Sequence, residues 1–240
     1  IPEDYKWVDD TQLAMKDYVA QVGDKKFETI AEAVAAVAEN GTIELLKDCA
    51  GNGVVVPSGK NFTLDFAGHT YTIDGTTVGS AGTETNGFQL LQGSTIVMKN
   101  GTLTSEKAKI LIQNYSNLTL KDMTLEGGND YTLSNNNGKV VIDGTTINAE
   151  AVAFDVCSFG SYTGADVTVT GGSTINGDIE VSKYNEAPDL KLHIEDATVT
   201  GKLVLSDGNP YEVVTKGATV EVAIPEDYKW VDDTQLAMKD

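Results

Sequence analysis

Three segments of this chain, IVMKNGTL (Ile96 to Leu103), LTLKDMTL (Leu118 to Leu125) and VVIDGTTI (Val140 to Ile147), share one template, and their starts at 96, 118 and 140 step by 22 residues. Each reads apolar-x-apolar, two turn-like positions, x, threonine, apolar. LHIEDATV (Leu192 to Val199) fits the template, VTVTGGSTI (Val167 to Ile175) fits with one residue inserted, and LDFAGHTYTI (Leu64 to Ile73) fits with two. A second strand series lies between these: FQL at Phe88, ILI at Ile110, YTL at Tyr131, FDV at Phe154, IEV at Ile179 and LVL at Leu203, recurring every 21 to 25 residues. Strands repeating at such a period, with no helix inside the repeat, signal a solenoid. One coil cannot bury its inward side chains alone, but stacking sets them in columns while the backbone bonds from coil to coil. The expected fold is all-β: a right-handed parallel β-helix of about six or seven coils. An antiparallel β-sandwich would account for the strands but gives no reason for the 22-residue register.

A solenoid has open ends whose unpaired edges invite aggregation. Before the first coil, Tyr18 to Val22 reads as a strand and Gly23-Asp24 as a turn. Thr29 and Glu32 then form a capping box ahead of a helical face of Ile30, Val34 and Val37. Asn40-Gly41 supplies its stop. This short helix, near residues 30–39, is expected to cap the first coil.

The termini carry a different repeat. IPEDYKWVDDTQLAMKD occurs at Ile1 to Asp17 and again, letter for letter, at Ile224 to Asp240. YKWV and LAMK read as short strands about Asp9-Asp10-Thr11-Gln12, so residues 1–17 are expected to form an ordered hairpin at a junction between repeats. Residues 18–223 are then the module and 224–240 the start of the next copy. With Ile rather than Met at its head, the chain reads as an excerpt from a longer array, natural or built.

Charge narrows the partners. Acidic residues number 36 and basic ones 17, for a net charge of −19, and every basic residue is lysine. Such a surface repels phosphate and lacks arginine's bidentate fork, which argues against nucleic acid. No apolar run approaches the ~18 residues of a membrane span, so direct membrane insertion is not expected. Cys49 and Cys157, far apart in sequence, make neither a disulfide framework nor a zinc site and read as buried free thiols. The glycosylation-like triplets at Asn61, Asn100, Asn114 and Asn117 read as turn chemistry.

The helix-plus-LLKD opening (Phe27 to Asp48) and the run Asp65-Phe66-Ala67-Gly68-His69-Thr70 resemble a module of large surface proteins of gut-dwelling Gram-positive bacteria, in which pectate-lyase-like coils follow such an opening. That resemblance covers most of the chain. It implies a secreted, wall-anchored parent at the cell surface, repeats in tandem with IPE-type stretches between them, and adhesin-like work on a host glycoprotein such as mucin, an immunoglobulin or a glycan. It supplies no motif from which binding residues can be carried over.

Enzymes also use β-helices. Pectate lyases resemble this architecture but use an arginine base beside calcium-holding carboxylates, and arginine is absent here. Polygalacturonase-like hydrolases cluster aspartates near Gly-His and Arg-Ile-Lys, whereas Gly68-His69 stands without those companions. Asp122, Asp143 and Asp196 occupy neighbouring turn positions of the template, where aspartate serves the turn itself. His193 alternates outward between Leu192 and Ile194 and has no catalytic neighbours in sequence. Catalysis is therefore not expected. No cofactor is expected either; calcium at an acidic turn is chemically compatible, but no D-x-D-x-D-G loop supports it.

Binding is better placed. The segments after the second-series strands should stack along one edge, and they carry Tyr115, Phe159, Tyr162, Tyr184 and Tyr211 among Asn, Ser and Gly. Flat apolar area beside hydrogen-bonding groups suits a protein or glycan surface, although aromatics at a corner also serve simply to cover the core. A structural stalk and a carbohydrate-active lyase or hydrolase are the alternatives to the adhesive module.

Overall fold

The computed structural model describes residues 1–183, 190–206, 211–215, 218–223, 226–232 and 235–239. It is a β-solenoid of about seven turns, built from parallel strands with one short helix. Three sheets run its length. In the first, Phe62, Ile96, Leu118, Val140, Val167, Leu192 and Val213 are successive register partners. Their numbers show the coil length directly: coils stretch where a loop is inserted, and two adjacent ones keep the 22-residue step.

The core explains why the coils stack. Ile43, Leu64, Met98, Leu120, Ile142, Val169 and Ile194 form one inward column of the first sheet, all fully buried. Leu103, Leu125, Ile147 and Ile175 form the matching column of the second sheet. Phe88, Ile112, Leu133, Phe154, Ile179 and Leu203 form that of the third. Each side chain meets a like one a strand spacing above and below, at roughly 4.8 Å.

The corner from first to second sheet is turned by a left-handed residue in each coil, with a second beside it at Gly68 and Gly172. Asn100, Asp122, Gly144, Gly171 and Asp196, aligned by the strands before them, have φ of 59°, 52°, 56°, 68° and 49°. Asparagine, aspartate and glycine are the residues that adopt this conformation at least cost. Asp122 and Asp196 thus serve the turn. Asp143 sits one position earlier, paired with Lys121, and its carboxylate lies where a β-carbon on Gly171 would fall, 1.9 Å away. The same β-carbon would stand 2.9 Å from the Gly144 backbone nitrogen, so contact rather than φ favours glycine there.

The third-sheet register corrects the reading of the second strand series. Phe88 partners Ile112 rather than Ile110, and Ile112 partners Leu133 rather than Tyr131. The inward positions that follow are Asn114 and Asn135, both fully buried. Alternation sought apolar residues there and slid two positions upstream to ILI and YTL.

Both ends of the first sheet are closed by antiparallel strands. At the start, Ala20–Val22 pairs with Lys25–Phe27 and lies antiparallel to Gly41–Leu45. The helix, Ile30–Ala36, covers the core with Ile30, Ala33 and Val34, and its capping box is present: Glu32 N–H donates to Thr29 Oγ1 at 3.1 Å and Thr29 N–H to Glu32 Oε2 at 3.2 Å. It is shorter than expected. Val37, with ψ 133°, ends it in extended backbone, and Gly41 already opens the first strand, so Asn40-Gly41 turns into the sheet rather than stopping the helix. At the far end, Gln235–Met238 lies antiparallel to Tyr211–Val214. No helix among the described residues is long and apolar enough to cross a membrane.

Column and corner make separable contributions to stability. Leu120→Ala should destabilise by about 2–5 kcal/mol through its cavity. Asp122→Val should cost about 1–2 kcal/mol through left-handed strain, while Asp122→Gly stays near neutral. Urea denaturation of the three variants measures all three effects.

Candidate functional site

The outer face of the third sheet is unusually polar and unusually covered. Gln89, Gln113, Ser134, Asp155 and Glu180 are successive register partners pointing away from the core, yet Gln89, Ser134 and Asp155 are buried. The insertion between Ile73 and Asn86 brings Ser80 beside Gln89, and the corner segment after Ser158 folds back toward earlier coils, reaching Tyr115 and Asn137.

Hydrogen bonds link the column. Gln113 Oε1 accepts from Gln89 Nε2 and from Asn86 Nδ2, both at 3.0 Å. Asn136 Nδ2 donates to Ser134 Oγ at 3.2 Å, and Ser134 Oγ donates to Asp155 Oδ2 at 3.2 Å. Asp155 Oδ1 accepts the backbone N–H of Asn135 at 2.6 Å. One strand further, Tyr131 OH donates to Glu180 Oε2 at 2.9 Å. Below the sheet, inward Asn114 and Asn135 bond each other at 3.2 Å, and Asn135 Nδ2 reaches Asp155 O at 3.1 Å. Asn114 Oδ1 also accepts the N–H and hydroxyl of Ser116, so the amides are bonded inside an apolar core, as buried polar groups must be.

Burial dominates the ionisation of Asp155. It drives the carboxyl up to about 7, assisted by Glu180, against the pull of the Asn135 N–H and the Ser134 hydroxyl. Near neutrality this carboxyl divides between charged and neutral forms. Burial also pushes the Cys157 thiol up to about 12 and the Tyr115 hydroxyl above its ordinary range.

The five aromatic candidates divide. Tyr115 and Tyr162 come together, ring centroids 4.8 Å apart and planes at 42°, although two coils separate them along the solenoid. Two bonds brace that approach: Thr163 Oγ1 to Asn137 Oδ1 at 3.1 Å, and Asn137 Nδ2 to Tyr115 O at 3.0 Å. Both tyrosines are half-buried, whereas Phe159, on the same segment, is exposed. Tyr211 is a strand residue paired with Leu190, its side chain outside the described set. Tyr184 lies outside the described residues altogether.

Other candidates sit elsewhere. His193 faces outward as alternation required, with Nε2 2.7 Å from Glu212 Oε1, and His69 Nδ1 lies 3.3 Å from Asp48 Oδ1. Cys157 is a buried free thiol; Cys49 is free but only half-buried, against expectation, because it stands on the short Cys49–Gly51 strand at the end of its sheet. Among the described residues no three His, Cys, Asp or Glu are grouped to hold a metal ion. A cavity of about 250 Å³ opens between the helix and the first coil, lined by Ile30, Val54, Gly51 and Tyr71. Its one carboxylate, Glu28, is paired with Lys6.

Sequence reading placed Tyr115 and Tyr162 on one edge, where they meet, and missed the column. The available signal was the middle residue of FQL, FDV and IEV, which becomes a polar series once IQN and LSN replace ILI and YTL. Comparison of the chain with family models, with curated proteins and with solved structures returns no match.

Asp155 generates a pH prediction. With its folded pKa near 7 and an ordinary carboxylate value of 3.8 when unfolded, its favourable contribution is complete below about pH 4 and declines as pH rises through 7. Asp155→Asn should therefore gain stability relative to the parent as pH goes from 5 to 8, read as the difference between paired urea curves.

Proposed function

We propose that this chain is a non-catalytic repeat module of a bacterial cell-surface protein that binds a host glycoprotein through its glycan. The observation that carries this reading is the Tyr115–Tyr162 pair on the solenoid face where Gln113 and Glu180, the partly exposed members of the polar column, also point outward. Sugars present both an apolar C–H face and a ring of hydroxyls. Aromatic rings suit the first and paired amides and carboxyls the second. The −19 charge is compatible with a neutral ligand and opposes polyanions. Work at the exterior of the cell and anchoring of the parent in the wall follow from the resemblance of the Phe27 to Asp48 opening. Affinity in such a system grows by avidity, with modest sites repeated along one chain.

A carbohydrate-active enzyme is the second reading, favoured by one specific feature. Asp155 and Glu180 are register partners on adjacent strands, and burial drives Asp155 up to about 7; a pair of neighbouring carboxyls is what acid–base hydrolysis uses. Against it, both Asp155 oxygens already accept protein hydrogen bonds, which suits a positioning role better than proton delivery.

Glycan and glycoprotein arrays, immunoglobulins included, should return a ligand for the chain. Tyr162→Ala and Tyr115→Ala should each weaken it by about tenfold, roughly 1.4 kcal/mol. A silent array, or binding indifferent to both variants, defeats the proposal. Release of new sugar ends that Asp155→Asn abolishes would establish the enzyme instead.

A further inference from the structure

The two copies of the seventeen-residue segment fold alike and sit differently. In the first, Tyr5–Trp7 pairs antiparallel with Leu13–Met15, Tyr5 opposite Met15 and Trp7 opposite Leu13. In the second, Tyr228 lies opposite Met238 and Trp230 opposite Leu236, the same register 223 positions on. A closing bond recurs too: Lys16 N–H to Asp4 O at 2.8 Å, and Lys239 N–H to Asp227 O at 2.7 Å. The local sequence therefore dictates the hairpin whatever surrounds it.

Surroundings differ by face. Tyr5, Trp7, Leu13 and Met15 share one face of the hairpin by alternation, and Lys6 and Ala14 share the other. In the second copy the tyrosine–leucine face lies on the last coil: Leu236 is opposite Val213, and Tyr228 and Leu236 belong to the core at 3% and 1% exposure. In the first copy the same face is open, with Tyr5 at 36%, Leu13 at 37%, Trp7 at 56% and Met15 at 66%. Its lysine face is instead engaged with its own module, where Lys6 pairs with Glu28, Asp17 N–H donates to Glu28 Oε1 at 3.2 Å, and Asp17 pairs with Lys47. One sequence thus makes two contacts, on opposite faces, that do not compete.

We propose that the open face of residues 1–17 is the docking surface for the last coil of a second copy of this chain. The hairpin is then a two-sided joint between successive copies: Leu13 pairs antiparallel with Val213 of the preceding copy, as Leu236 does here, while Lys6 and Asp17 hold the following module. The occupant is argued from the chain itself, since the identical seventeen residues are already seated on that coil once. Of the eleven large apolar residues exposed among those described, four (Tyr5, Trp7, Leu13 and Met15) share this one face, and such a cluster marks an interaction surface. In the seated copy Tyr228 and Leu236 are buried and Trp230 falls to 38%, from 56% at Trp7. The joint closes the C-terminal edge of the first sheet and fixes one copy to the next without a free linker. It rests on the reading of the chain as a link in an array and is independent of ligand binding.

The test uses identical substitutions at non-equivalent places. In the single chain, Leu236→Asp should lower the melting temperature by several degrees, whereas Leu13→Asp should leave it unchanged. A two-copy chain, residues 1–223 followed by 1–240, should scatter X-rays as one rigid particle and melt above the single chain in one transition. Aspartate in place of the central leucine should split that transition and loosen the particle. Equal effects of Leu13→Asp and Leu236→Asp in the single chain, or two copies that melt independently and scatter as a flexible dumbbell, overturn the proposal. Glycan affinity is not read in either arm, so failure of the binding module and failure of the joint are told apart.

Discussion

Parallel backbone pairing between successive coils is the interaction on which everything else depends. A coil of this solenoid has no sheet of its own; its strands find partners only in the coil before and the coil after. That requirement forces inward residues into columns, since register partners must share a face. It forces corners to coincide, so that Asn100, Asp122, Gly144, Gly171 and Asp196 repeat one left-handed conformation. It also leaves a problem at each end, where pairing has to stop. Here the first sheet is closed at both ends by antiparallel strands rather than left open.

The same stacking makes a surface. Residues pointing outward at one register position become a line of side chains a strand spacing apart, and the identity of that line is free to vary because it does not hold the core. On the third sheet the line is Gln89, Gln113, Ser134, Asp155 and Glu180, of which Gln89, Ser134 and Asp155 are buried. Cover is what changes its chemistry. An exposed aspartate at a strand centre would titrate near its ordinary value, whereas Asp155, beneath its neighbours, is pushed up to about 7.

Legibility followed the strength of the apolar signal. Ile96, Leu118 and Val140, with their threonine-apolar returns, announced the first and second sheets to the residue in their own coils, whereas the coil read from Leu64 to Ile73 is paired two positions earlier, Phe62 with Ile96 and Tyr71 with Leu103. The Thr29–Glu32 box announced the helix start. Its end was obscured because Val37 and Ala38 continue the apolar pattern after the backbone has left the helix. The third sheet misled by two positions because Asn114 and Asn135 occupy inward sites that periodicity reserves for apolar residues. Those asparagines are stable inside because their amides are bonded there: Asn114 to Ser116 in its own coil and to Asn135 in the next, and Asn135 to the Asp155 backbone oxygen. Tyr115 and Tyr162 were legible as residents of one edge, but not as a stacked pair two coils apart.

By itself, then, the sequence determined the strand period, the turn residues at the corners, the start of the capping helix and the hairpin strands that pair in one register at both ends, all of which depend on local conformation or on short-range alternation. Tertiary structure alone decided which outward residues share a column, that Asp155 is buried while facing away from the core, and that one copy of IPEDYKWVDDTQLAMKD covers a coil while the other stays open. These depend on register between coils and on cover by distant segments. Seventeen identical residues cannot encode different surroundings; only the edge of the solenoid they meet can.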